Sequence, residues 1–184
     1  MSNKAIAVNE AIKVALEKLK VVNVPAEKTG AMRVFGKDMF LDPDDYSLKT
    51  LDGQDAKPAD RLLLLHYLLC DLPVKATGEL ISFRDFTGGQ FYFQPFVART
   101  TNPLLGRFGN NLDGLRKNLD RFDWEEVKIG DFAARIKTFA GLDLTLVYHL
   151  GDDEFPPAAE ILFDSCIKRV FEAEDAAAGT VAAE

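Results

Sequence analysis

The sequence predicts an α+β domain in which antiparallel hairpins pack against about four helices, and three observations carry that prediction. Helical periodicity appears at four separate places, paired strand patterns fall between them, and each pair is joined by a short glycine-bearing turn. Antiparallel pairs separated by helices argue against a parallel, doubly wound sheet. At 184 residues the chain is long enough to bury about two thirds of its unfolded surface around one core. Residues 1–175 are read as that single domain. Residues 176–184 are read as a disordered tail, because their apolar area is too small to offset the entropy of ordering them.

The elements follow in order. Ala5, Val8, Ile12, Ala15, Leu16 and Leu19 recur at helical spacing, and the stretch 23–25 ends that first helix. Residues 32–51 are read as two or three short strands. A second helix starts at Pro58 and is apolar almost all round through Leu62, Leu63, Leu64, Leu65, Leu68 and Leu69, which makes it the central helix. Residues 80–97 read as a hairpin turning at Gly88 and Gly89. A three-residue loop there gathers Ile81, Phe83, Phe91, Phe93 and Val97 on one face and leaves Ser82, Arg84, Tyr92 and Gln94 on the other.

The third helix has Asn102 as cap and Pro103 in its first turn, then a seam of Leu105, Phe108, Leu112, Leu115, Leu119 and Phe122. Glycine weakens it, and a break near Gly109, Asn110 and Asn111 is expected. A second antiparallel pair spans residues 132–139 and 142–149, turning around Ala140 and Gly141. The last helix is expected from Pro157 to about Glu174, burying Leu162, Phe163, Cys166, Ile167 and Val170.

Charge narrows the partners. Lysine and arginine number 22 against 29 acids, a net charge of −7, which disfavours a nucleic-acid backbone or an anionic membrane. No apolar run reaches the roughly 20 residues of a membrane span, and the amphipathic N-terminus lacks a signal peptide's apolar centre, so the chain is read as cytoplasmic. The two cysteines, Cys70 and Cys166, are read as reduced and packed as small hydrophobes.

Three groups of residues are candidate sites. Asp152, Asp153 and Glu154 offer oxygen ligands for a hard cation at an expected strand-to-helix junction, where they would equally complement the positive end of the helix dipole; capping is favoured over metal. His66 and Cys70 are four residues apart on one helix face, a separation suited to a soft metal or haem iron, but a hydrogen-bonded core histidine is favoured. Arg84, Tyr92 and Gln94 on the less apolar hairpin face, with Arg99 and Arg107 nearby, would line a ligand pocket or face water. No phosphate-cradling glycine loop or activated nucleophile is recognisable, so no catalytic residue is assigned and no cofactor is identified.

The combination Leu64-Leu65-His66-Tyr67-Leu68-Leu69, Thr77-Gly78-Glu79-Leu80-Ile81-Ser82-Phe83-Arg84, and Gly151-Asp152-Asp153-Glu154-Phe155-Pro156 with Ile161-Leu162-Phe163-Asp164 resembles the prokaryotic domain of unknown function 3786. The resemblance covers most of the chain. It implies a setting in anaerobic bacteria and archaea, and, through members fused to a cysteine-rich iron–sulfur segment, a role near redox or one-carbon metabolism. This chain departs from those fusions, since an iron–sulfur cubane needs four ligands.

The first functional reading is therefore a non-enzymatic binding or accessory domain linked to cofactor, corrinoid or iron–sulfur metabolism. Its partner is a small-molecule ligand or a cofactor-bearing protein, in a pocket between the aromatic hairpin and the leucine-rich helix. The second is a metal-dependent enzyme using Asp152, Asp153 and Glu154 with His149 as ligand or base. The third is a homo-oligomer without a site.

Overall fold

A computed structural model describes residues 3–70 and 74–171 of the chain. Helix α1, Asn3–Leu19, buries Ile12, Ala15 and Leu19 and packs on α2, Pro58–Leu68. Leu63, Leu64, Leu65 and Leu68 are all buried, so α2 is the central helix that its all-round apolar sequence required. Between the two helices run β1, Gly30–Val34, β2, Lys37–Leu41, and β3, Leu48–Thr50, as an antiparallel sheet in that order.

The second sheet is built from β4, Leu80–Ser82, β5, Trp124–Val127, β6, Phe132–Ile136, β7, Leu144–His149, and β8, Ala158–Asp164, in the order β4-β8-β7-β6-β5. Every neighbouring pair is antiparallel. The expected pair at residues 132–149 is present as β6 and β7, with Ala140 and Gly141 both at positive φ in the connection. Ile136 faces Leu144, Ala134 faces Leu146, and Phe132 faces Tyr148, while Leu146 also faces Ile161 and Leu144 faces Phe163. Paired residues point to the same side of a sheet, so these form one continuous apolar face. That face joins the helices and the first sheet in a single core, which makes the chain one α+β domain.

Two expectations fail. Residues 80–97 do not form a hairpin. β4 pairs with β8 instead, Phe83–Asp85 forms a 3-10 turn, and α3, Gly89–Arg99, is a helix with Pro95 inside it. The glycines serve a helix entry: Gly88 takes φ 77°, and a Cβ on Gly89 would lie 2.0 Å from the Phe83 carbonyl oxygen. Gly89, Phe96 and Thr100 are buried and Phe93 half-buried, a helical spacing that brings the Phe96 ring onto Phe83 at 4.1 Å, stacked. Tertiary packing thus overrides the strand preference of Phe91, Tyr92 and Phe93.

The expected last helix is also absent from the described residues. Pro157 precedes β8, and Ser165–Arg169 is a 3-10 turn. Ile161 and Phe163 alternate inward with period two, and pairing to both β7 and β4 supplies backbone partners that a helix would have found within itself. Proline is tolerated at a strand's start as it is at a helix's. The third helix breaks at the expected place, into α4, Thr101–Phe108, and α5, Leu112–Leu119, with Asn111 accepting from the Gly114 amide at 2.9 Å as the cap of α5. The tail 176–184 lies outside the described residues.

Candidate ligand pocket

The pocket is lined by residues from the two helices on either side of the break. At the break the chain is tied to the end of β7. The buried Tyr148 hydroxyl donates to the Gly109 carbonyl at 2.8 Å, and Asn110 exchanges two hydrogen bonds with the backbone of Gly151, at 2.9 and 2.8 Å. With this junction anchored, α4 and α5 lie over the sheet without filling all the space above it. A cavity of about 240 Å³ remains, walled by Pro103, Leu104, Arg107 and Phe108 of α4, by Asn118 and Leu119 of α5, and by Arg121 and Phe122 just beyond. Ile136, Leu144, Leu146 and Ile161 form its floor.

The floor is buried whereas Arg107 and Arg121 are exposed, so the pocket has an apolar end on the sheet and a cationic end toward water. The Arg107 guanidinium lies 5.1 Å from the Phe108 ring centre, and that of Arg121 lies 4.8 Å from the Phe122 ring centre. Both rings line the cavity, so each charge is held against its wall. Among the described lining residues none is acidic.

The residues singled out in the sequence are scattered. Arg84, in the 3-10 turn, covers the Phe93 ring at 3.9 Å. Tyr92 and Gln94 are exposed on α3 instead of on a strand, and Arg99 donates through Nε to the Pro95 carbonyl at 2.9 Å. His66 is half-buried on α2. None of these five lines the cavity. The expected position between an aromatic hairpin and α2 disappears with the hairpin; of the residues named beside it, Arg107 reaches the pocket.

Asp152, Asp153 and Glu154 sit in the connection between β7 and β8, with no helix dipole to complement. Asp152 Oδ1 accepts from the amides of Glu154 and Phe155 at 2.9 and 2.8 Å, closing an Asx turn, and the Phe155 and Glu154 amides hold its carboxyl below the usual range. His149 Nδ1 is 3.9 Å from Asp131 Oδ2. Among the described residues no group of three or more His, Cys, Asp or Glu could hold a metal ion.

The two thiols differ. Cys70 is half-buried just past α2, with Sγ 3.7 Å from the Arg169 carbonyl, and its own carbonyl accepts from the buried Lys28 ammonium. Cys166 is buried, and burial, assisted by the neighbouring Asp164 carboxylate, pushes its thiol up to about 12.

No helix of the described residues is long and apolar enough to cross a membrane. No curated protein and no solved structure matches the chain significantly. The model of the family described as domain of unknown function (DUF3786) matches residues 15–182, from within α1 past the last described strand, and by that match the chain belongs to this family.

Proposed function

We propose that the protein is a non-enzymatic binding or accessory domain, cytoplasmic, that receives a small molecule in the pocket between α4, α5 and the sheet. The observation that carries this reading is the cavity of about 240 Å³ with a buried aliphatic floor and Arg107, Asn118 and Arg121 among its lining residues. Protein interiors are close-packed, and a concave apolar volume with convergent polar groups is the usual form of a ligand site. The volume favours a small ligand over a macrocycle held whole. The proposed setting is cofactor, corrinoid or iron–sulfur metabolism in anaerobic prokaryotes, with that ligand as a metabolite there. The metal-dependent alternative is weaker, because Asp152 Oδ1 is already engaged by two backbone amides.

Indole, an apolar probe of suitable size, tests the reading by nuclear magnetic resonance. Titration should shift the methyl signals of Leu104, Leu144, Leu146 and Ile161, and Leu104→Trp, which fills the cavity from α4, should suppress the shifts. Methyl signals that stay unmoved at millimolar indole would show that the cavity takes no ligand.

A further inference from the structure

The two ends of the pocket specify different halves of a ligand. Four buried aliphatic residues, Ile136, Leu144, Leu146 and Ile161, accept apolar surface and offer no side-chain hydrogen bond. Toward water, the charged groups among the described lining residues are the exposed Arg107 and Arg121. This cationic end stands on a chain of net charge −7, so the local charge opposes the average field of the molecule and selects for an anion at this place. A guanidinium presents a planar fork of donors whose spacing matches a carboxylate.

Size limits the apolar half. A cavity of about 150 Å³ holds benzene, so by proportion about 240 Å³ holds roughly nine or ten carbon-sized groups. Resting on the pocket-binding reading above, we propose that the ligand is a small monocarboxylic acid with an apolar chain or ring of that size. Its carboxylate is held by Arg107 and Arg121, and its body lies against Leu144, Leu146 and Ile161. Orientation follows from the burial gradient: the acid points outward to the exposed arginines and the chain inward to the sheet.

Calorimetric titration of the full chain with octanoate and with 1-octanol tests this, with the Leu146 methyl signal reporting entry into the pocket. Octanoate should bind at least about tenfold more tightly than 1-octanol, the size of effect expected when charge-assisted bonds replace neutral ones. The double variant Arg107→Gln, Arg121→Gln should reduce octanoate to the affinity of 1-octanol and leave 1-octanol binding unchanged; that unchanged binding also shows that the variant is folded. Equal affinities of the native protein for the two probes, or octanoate binding that survives the double variant, would overturn acid recognition while leaving the pocket in place. Failure of both probes to move the Leu146 signal would instead remove the pocket reading itself.

Discussion

The two ends of strand β7 carry opposite relations between residue type and available chemistry. At one end Leu144 and Leu146, unremarkable in sequence, floor a cavity about 240 Å³ in volume. Just past the other end stands a run of three acids, the most chemical-looking stretch of the chain, yet Asp152 directs its Oδ1 at two amides of its own turn. A carboxylate engaged this way has less capacity to hold a cation, whereas apolar groups facing an open volume still have contacts to gain. What is left over after folding, more than residue type, marks the better candidate site.

The largest expected effect lies at the pocket floor. Leu146 is 3% exposed and packs in the sheet between Ala134 and Ile161. Leu146→Ala should destabilise the protein by about 2–5 kcal/mol, because it removes buried methyl groups and enlarges a space that the sheet cannot collapse into. Chemical denaturation measures this directly. A cost below about 1 kcal/mol would mean that the floor is not packed as described, and the contrast between the two ends of β7 would lose one side.

A second carboxylate sharpens the other side. Asp164 ends β8 and accepts from the Thr77 amide and hydroxyl at 2.9 and 2.8 Å, the Gly78 amide at 2.7 Å and the Cys166 amide at 2.9 Å. Burial alone would raise its pKa, but the bonds from Thr77 and Cys166 outweigh burial and hold it well below the usual carboxylate range. Asp164→Ala should cost about 1–2 kcal/mol, as for an N-cap whose orphaned amides partly recover water. Because the folded pKa is depressed, this stabilisation is complete above the unfolded value of about 4 and is lost as pH falls through the folded value. The stability difference between native protein and variant should therefore shrink in acid. A difference that is constant from neutral pH down to about pH 2 would show that the charge on Asp164 contributes nothing.

Legibility in the sequence followed how local each cause was. The β6–β7 pair could be read because alternating residues and Gly141 act within a few positions of each other, and α2 could be read because it is apolar on every side. In α3 and its C-cap the buried Gly89, Phe96 and Thr100 and the half-buried Phe93 do carry a helical spacing, but the exposed Phe91 and Tyr92 add strand character to the same stretch. Around β8, Leu162, Phe163, Cys166 and Ile167 fit a helix as well as Ile161 and Phe163 fit a strand, and the decision came from β7 and β4, distant in sequence. Trp124–Val127 was missed because it is short and half acidic, and its Glu125 pairs at 2.9 Å with Arg135 on the adjoining strand. The cavity left no local sign at all. Its wall is drawn from separate stretches of chain, and the break expected near Gly109 pointed to no space beside it.

The smallest effect belongs to Asp152, and its smallness is the point. Asparagine retains an oxygen acceptor in the same place, so Asp152→Asn should preserve the bonds to the Glu154 and Phe155 amides and lower the melting temperature at neutral pH only slightly, by less than Asp152→Ala does. The bonds that depress the Asp152 pKa make its contribution one that fades as pH falls, so the asparagine variant should lose less stability than the native protein on acidification. Magnesium or calcium should leave the native melting temperature where it is. A rise with either cation that disappears in Asp152→Asn would mean that the acids bind metal, because only a ligand with higher affinity for the native state than for the unfolded chain raises stability. That result would bring both ends of β7 into the account of function and promote the metal-dependent reading.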